Sequence, residues 1–124
     1  MNSIANLMLL GLAGAVGTVL RAGCTAVAVR LFGPAFPWGT LAVNVAGSFV
    51  FGAIYSYVRS RSLPTELDGV LLVGLLGGFT TYSSFAFQSV EMAESGRGPA
   101  AAAYVVATTL LGLAAVWAGL RCFR

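Results

Sequence analysis

Long apolar runs, broken at three polar joints, set the pattern of this chain. The runs cover about Ile4 to Leu31, Trp38 to Val58, Leu67 to Met92 and Pro99 to Phe123. A helix needs about 20 mainly apolar residues to cross the hydrocarbon core of a bilayer, and each run meets that length. The joints carry turn chemistry: Gly33, Pro34 and Pro37; then Arg59 to Ser62 and Pro64; then Gly96, Arg97, Gly98 and Pro99. Proline at the start of the fourth run suits the first turn of a helix. The pattern predicts an all-α membrane protein with four transmembrane helices in a single domain, residues 1–124.

The third run departs from a plain span. Gly74 to Gln88 holds Gly74, Gly77 and Gly78, the hydroxyl residues Thr80, Thr81, Ser83 and Ser84 around Tyr82, and Phe79, Phe85 and Phe87. Loose backbone polar groups are tolerated at membrane depth only where protein buries them or a polar path receives them. Broken helices at that depth commonly build ion sites. The third helix is therefore expected to break near Gly77 to Thr80.

Composition supports the membrane reading. The chain is 58% hydrophobic and 9% charged, where a soluble domain carries about 25% charged residues. The formal charge is +3 and every basic residue is arginine. These arginines are too few and too scattered to imply a nucleic-acid partner. Cys24 and Cys122 lie in different runs without CxxC spacing and read as small apolar fillers. The N-terminus lacks the positive region of a cleavable leader, so the mature protein is expected to begin at Met1.

Four spans place both termini and the second joint on one side, with Arg59, Arg61, Arg121 and Arg124. Arg30 and Arg97 lie on the other, with Arg21 near it. The positive-inside rule needs a clearer bias to fix one orientation, so insertion both ways stays open. Small residues share faces: Gly11, Gly14, Ala15 and Thr18 on the first helix, Gly47, Ser48 and Gly52 on the second. Such faces drive helix association in lipid. Packing within one subunit accounts for some of them, and their number favours a homo-oligomer.

Polar residues within spans are costly and usually functional. Thr40, Asn44 and Ser48 follow at i+4 and form one stripe. Asn44 carries a donor and an acceptor, which serve an interhelical hydrogen bond and a substrate contact equally well. On the third run a helical wheel places Thr81, Ser84 and Gln88 on one stripe, with Phe85 between it and Tyr82. Core packing is the ordinary fate of an aromatic stripe, but here rings and hydroxyls share a face. Ring edges are positive, so edges beside hydroxyl and amide donors make a weakly electropositive path for a small anion. The acids Glu66, Asp68, Glu91 and Glu94 cluster at the ends of spans, whereas a cation path ordinarily uses carboxylates. Arg21 is placed to draw anions to an entrance. There is no histidine, paired carboxylate or nucleophile with a base, so no enzyme chemistry is expected.

Three motifs together resemble the Fluc/CrcB fluoride channel family. They are Gly14-Ala-Val-Gly-Thr-Val-Leu-Arg21, Gly39-Thr-Leu-Ala-Val-Asn-Val-Ala-Gly-Ser48 and Gly77-Gly-Phe-Thr-Thr-Tyr-Ser-Ser-Phe85. The resemblance covers essentially the whole chain. It implies an antiparallel, dual-topology homodimer in the inner membrane. Each dimer would hold two pores and export fluoride passively from the cytoplasm, down its gradient. It implies a structural sodium ion on the backbone carbonyls of Gly77 and Thr80 from both subunits, and no organic cofactor. It assigns Tyr82 and Phe85 as pore rings and Asn44 as a pore-lining amide. Thr40 becomes a vestibule residue, Ser83 and Ser84 a polar track, and Tyr104 a further pore-side position. Tyr82, Ala86 and Gln88 stand where phenylalanine, serine and glutamate are frequent in that family. A pairing with a different, related chain is also compatible with it. The rival is a small dual-topology multidrug or cation exporter, a proton-coupled antiporter. It requires a carboxylate in the first helix, and residues 1–31 contain none.

Overall fold

A computed structural model describes residues 3–124, and the expected start at Met1 lies outside them. The first helix, α1 (Ile4–Phe32), starts where the Ser3 hydroxyl accepts from the Asn6 N–H at 3.2 Å. It stops at Gly33, whose φ of 76° turns the chain while its N–H bonds the Val29 carbonyl at 2.8 Å. Helix α2 (Trp38–Ser60) returns across the bundle. The third crossing is composite: α3 (Glu66–Asp68), a wide-turned π stretch (Gly69–Leu76) and α4 (Gly77–Phe79) run on without a gap. Thr80 and Thr81 are extended, and α5 (Tyr82–Glu94) follows. Helix α6 (Gly98–Arg121) has Pro99 in its first turn.

The break thus falls at Thr80 and Thr81, where the glycines and hydroxyls predicted it. The π stretch was not expected, because wide turns leave no mark in hydrophobic periodicity. Gly96 ends α5 as a left-handed residue at φ 77°, with the Arg97 N–H reaching the Met92 carbonyl at 2.9 Å. That is the glycine stop that satisfies a helix's last carbonyls.

Among the described residues, four helical crossings are long and apolar enough to span a membrane: Ile4–Phe32, Trp38–Ser60, Glu66–Glu94 and Gly98–Arg121. The side chains agree with lipid outside. Leu12, Val19, Phe87 and Leu113 are largely exposed. Little is buried: Val43 and Tyr104 are the largest fully enclosed side chains. In water such an exposed apolar surface is an aggregation liability; in a bilayer it is the outer face.

Backbones approach closely at two seams. A methyl group on Gly52 would overlap the Val116 carbonyl oxygen, and one on Gly119 would overlap that of Phe49. This seam joins α2 to α6. On the other side, a methyl on Gly17 would overlap the Leu75 carbonyl oxygen, and one on Gly78 that of Gly14. This seam locks α1 to the third crossing. Gly14, Gly47 and Gly52 therefore serve packing within the chain, while Gly11 faces open space. Three of the small positions expected to support association between chains, Gly14, Gly47 and Gly52, are thus already used inside one.

Candidate functional site

The break is held by side chains from two other helices. Asn44 on α2 clasps Thr81 at both ends: its Nδ2 donates to the Thr81 carbonyl at 2.9 Å, and its Oδ1 accepts from the Thr81 N–H at 2.8 Å. Arg21 on α1 donates from Nε to the Gly78 carbonyl at 3.0 Å. Thr81 in turn caps α5, its hydroxyl oxygen accepting from the Ser84 N–H at 3.3 Å and its hydroxyl donating to Ser84 Oγ at 3.1 Å. Capping of this kind satisfies one of the helix's orphan donors.

Two carbonyls at the break remain uncommitted. Gly78 and Thr81 carbonyls are taken by Arg21 and Asn44. The Thr80 N–H returns to Leu76 and the Thr81 N–H goes to Asn44, so neither reaches Gly77. Among the described residues no donor reaches the Gly77 or Thr80 carbonyl across the break. Two uncommitted carbonyl oxygens suit a hard cation, which prefers oxygen ligands. No group of three histidine, cysteine or acidic residues competes for a metal among the described residues.

Two cavities flank a ring pair between α2, α5 and α6. The first, about 460 Å³, is walled by Asn44, Ser48, Thr81, Tyr82, Phe85 and Thr108 among others. The second, about 190 Å³, has Phe36, Thr40, Gln88, Glu91 and Arg97 in its wall. Between them stand Phe85 and the fully buried Tyr104, ring centroids 5.3 Å apart. Phe36 meets Tyr104 edge-on at 5.5 Å, and Tyr82 tilts against Phe85 at 5.9 Å. The Tyr104 hydroxyl donates to Gln88 Oε1 at 2.8 Å. The i+4 stripe on α2 explains the order, since Asn44 borders the first cavity and Thr40 the second.

The residues singled out in the sequence fall into three groups. Asn44, Thr40, Tyr82, Phe85, Tyr104 and Gln88 lie along this file. Ser84 touches it through Thr81, while Ser83 is exposed, its hydroxyl 3.4 Å from Thr81 Oγ1. Arg21 lies in neither cavity wall; its guanidinium is at the break. The sequence reading missed Thr108, whose buried hydroxyl has no partner and lines the first cavity. Its signal was available: it stands one turn beyond Tyr104, at i+4. Phe36, in the joint between the first two runs, was also missed.

Comparison with known proteins gives a consistent picture. The model of the family described as CrcB-like protein, Camphor Resistance (CrcB), matches residues 8–120. A protein of Rhizobium etli named fluoride-specific ion channel FluC is 46% identical over 118 residues, 94% of each chain. A protein of the same name from Anaeromyxobacter dehalogenans is 47% identical over 116 residues, covering 93% of this chain and 92% of its own. Another, from Agrobacterium fabrum, is 43% identical over 120 residues, 96% of each chain.

Proposed function

The chain belongs to the CrcB family, and from that membership we infer that the file between the two cavities is a path for fluoride. The protein is a multi-pass membrane channel specific for fluoride, and it is not an enzyme. The observation that carries the path is its lining. From Thr108, Asn44 and Thr81, past the Phe85 and Tyr104 rings, to Thr40 and Gln88, the polar groups are hydroxyls and amides. Glu91, at the far wall of the second cavity, is the first carboxylate met.

Such a lining favours a small, strongly hydrated anion. Fluoride entering the file gives up water, and N–H and O–H donors replace it. A hydrogen bond to a charged partner contributes about 1.5–3 kcal/mol. Chloride is larger and accepts hydrogen bonds more weakly, so the same donors return less of its hydration. Cations meet positive ring edges and no carboxylate between the cavities. The exporter alternative drops out, since α1 has no acid to exchange protons.

The pore arrangement is part of the same proposal. Tyr82 is 80% exposed although it lines the first cavity, and Phe87 on the same helix is 68% exposed. A second copy of this chain, inserted the opposite way, would cover that side and complete two pores per antiparallel dimer in the inner membrane. Gly77 and Thr80 carbonyls from the two copies would hold a sodium ion, which would supply a fixed charge joining the two breaks.

Purified protein in liposomes tests the reading, with fluoride and chloride efflux followed by ion-selective electrodes. Fluoride efflux without comparable chloride efflux is expected. Chloride loss at the fluoride rate, or transport driven by a proton gradient, refutes it. Cysteine labelling from each side tests the dimer: normal activity with every copy in one orientation overturns the antiparallel pair.

A further inference from the structure

The ends of α2 and α6 carry three guanidinium groups seated on aromatic rings. The guanidinium carbon of Arg59 lies 5.1 Å from the centre of the Tyr55 ring, that of Arg61 5.7 Å from Tyr57, and that of Arg121 4.2 Å from Trp117. Each pair is spaced i+4, so every charge stands one turn beyond its ring, toward the helix end. As the second and fourth crossings, α2 and α6 run the same way, and all three pairs therefore lie at one end of the bundle. The Tyr57 and Phe123 rings meet edge-on at 5.1 Å and join the two helix ends. At the opposite end, Arg30 and Arg97 stack on no ring among the described residues.

An arginine in a last helical turn ordinarily complements the negative carbonyl end of the helix. Arg59 has a further partner, donating to Asp68 Oδ2 at 3.5 Å. Arg61 and Arg121 have neither a salt bridge nor a side-chain hydrogen bond among the described residues. A ring occupies the flat face of a guanidinium and leaves its edge open, where the N–H donors lie. That edge matches phosphate oxygens two bonds at a time. Tyr57, Trp117 and Phe123 are exposed beside it, and such rings sit at headgroup level in a bilayer. Leu113 and Leu110, one and two turns before Trp117, continue the exposed stripe as apolar side chains. We propose that the joined ends of α2 and α6 bind an anionic phospholipid, its phosphate on the guanidinium edges of Arg61 and Arg121 and its acyl chains along the stripe below Trp117.

Charge complementarity selects the occupant. Asp68 answers Arg59, and Glu66 is the other acid that begins the third crossing at this end. Arg61, Arg121 and Arg124 then set three positive charges against one negative. A zwitterionic headgroup brings its own cation beside the phosphate, which these arginines repel. An anionic headgroup gains about fivefold in binding for each basic residue at the surface. Neither Arg61 nor Arg121 borders the two cavities, so the lipid site stands apart from the ion path. In the antiparallel pair proposed above, one such end would face each leaflet.

Native mass spectrometry of the purified protein in non-ionic detergent tests this, with phosphatidylglycerol and phosphatidylcholine titrated separately. The parent is expected to hold phosphatidylglycerol at least about tenfold more tightly than phosphatidylcholine. Arg61→Gln and Arg121→Gln should each weaken phosphatidylglycerol binding about fivefold. Trp117→Leu should weaken it about two- to fivefold, because the ring no longer orients the Arg121 guanidinium. Arg30→Gln, at the opposite end and without a ring, should leave it unchanged. Equal affinity of the parent for the two lipids overturns the proposal. Parental binding by both glutamine variants at Arg61 and Arg121 overturns it too, as does an equal loss in Arg30→Gln. Inorganic phosphate in large excess should not displace the lipid; displacement would reduce the site to one for a plain anion and remove the lipid from it. The substituted side chains are all exposed, so the variants are expected to assemble. Should the glutamine variants fail to, Arg121→Lys decides. It keeps the charge, loses the flat fork and should bind about threefold more weakly; undiminished binding overturns the grip on phosphate.

Discussion

Replacing Asn44 by alanine removes both bonds that hold Thr81, with consequences that the structure allows one to size. The lost contacts are a donor bond at 2.9 Å and an acceptor bond at 2.8 Å. In water-soluble proteins each such bond contributes about 0.5–1.5 kcal/mol. Between helices in a membrane the average is nearer 0.6 kcal/mol. Two bonds therefore give about 1–3 kcal/mol. The first cavity lets water reach the freed groups, which places the expected value in the lower half. The Thr81 N–H reports this directly, because its exchange with solvent follows the free energy of local opening. Every 1.4 kcal/mol is a factor of ten, so Thr81 exchange should accelerate about 5- to 30-fold by mass-resolved hydrogen exchange. Residues of the α2–α6 seam should change far less. Fluoride efflux should fall at least about tenfold, since the substitution also removes the second Nδ2 hydrogen from the cavity wall. Unchanged protection at Thr81 would show that the clasp does not hold the break.

Other expectations follow from the same geometry. Phe85→Ile keeps an apolar side chain, so folding should survive at a cost of about 1.5 kcal/mol or less, yet most fluoride efflux should vanish. An assembled Phe85→Ile variant at the parental rate would assign that ring to packing. Tyr82→Phe keeps the ring edge and should leave efflux close to parental in the same assay. Gly78→Ala pushes a methyl into the Gly14 carbonyl oxygen and against Thr18 Oγ1 at 3.1 Å. It should destabilise by about 1–3 kcal/mol, as overpacking does, seen as a lower melting temperature in detergent. Gly11→Ala, with open space around it, should leave that temperature unchanged and serves as the control. Two arginines added to the Gly33–Pro37 joint should bias insertion and lower activity when one gene supplies both copies, measured by side-specific labelling.

The sequence revealed the four crossings because a bilayer demands little more than length and hydropathy. The break was legible too, since glycines beside a hydroxyl run have no use in an ordinary span. Thr81 was legible only as a polar residue. A helical wheel put it on one stripe with Ser84 and Gln88, but a wheel assumes one continuous helix. The break interrupts that period, and Thr81 stands outside α5 as its cap. Asn44 was left between an interhelical bond and a substrate contact. The structure gives it the first through Thr81, 37 residues away, and places it in a cavity wall as well. Arg21 was read as an entrance charge because its partner, a backbone carbonyl 57 residues later, carries no sequence signal. The small faces were the least specific signal: backbone approach within a chain and between chains requires the same residues.

Dividing the third crossing also divides its electrical axis. A helix sums its peptide dipoles to about half a positive charge at its start and half a negative charge at its end. An unbroken span would keep both ends at the aqueous surfaces, where water screens them. The interruption at Thr80 and Thr81 brings one of each to the middle of the membrane: the carbonyl end of Gly77–Phe79 and, two residues on, the amide end of Tyr82–Glu94. The low-dielectric interior leaves these partial charges strong. Arg21 meets the carbonyl end at Gly78, and the amide end opens beside the Tyr82 and Phe85 rings. Two extended residues thus supply a negative pole and a positive pole at a depth where the chain places no acid.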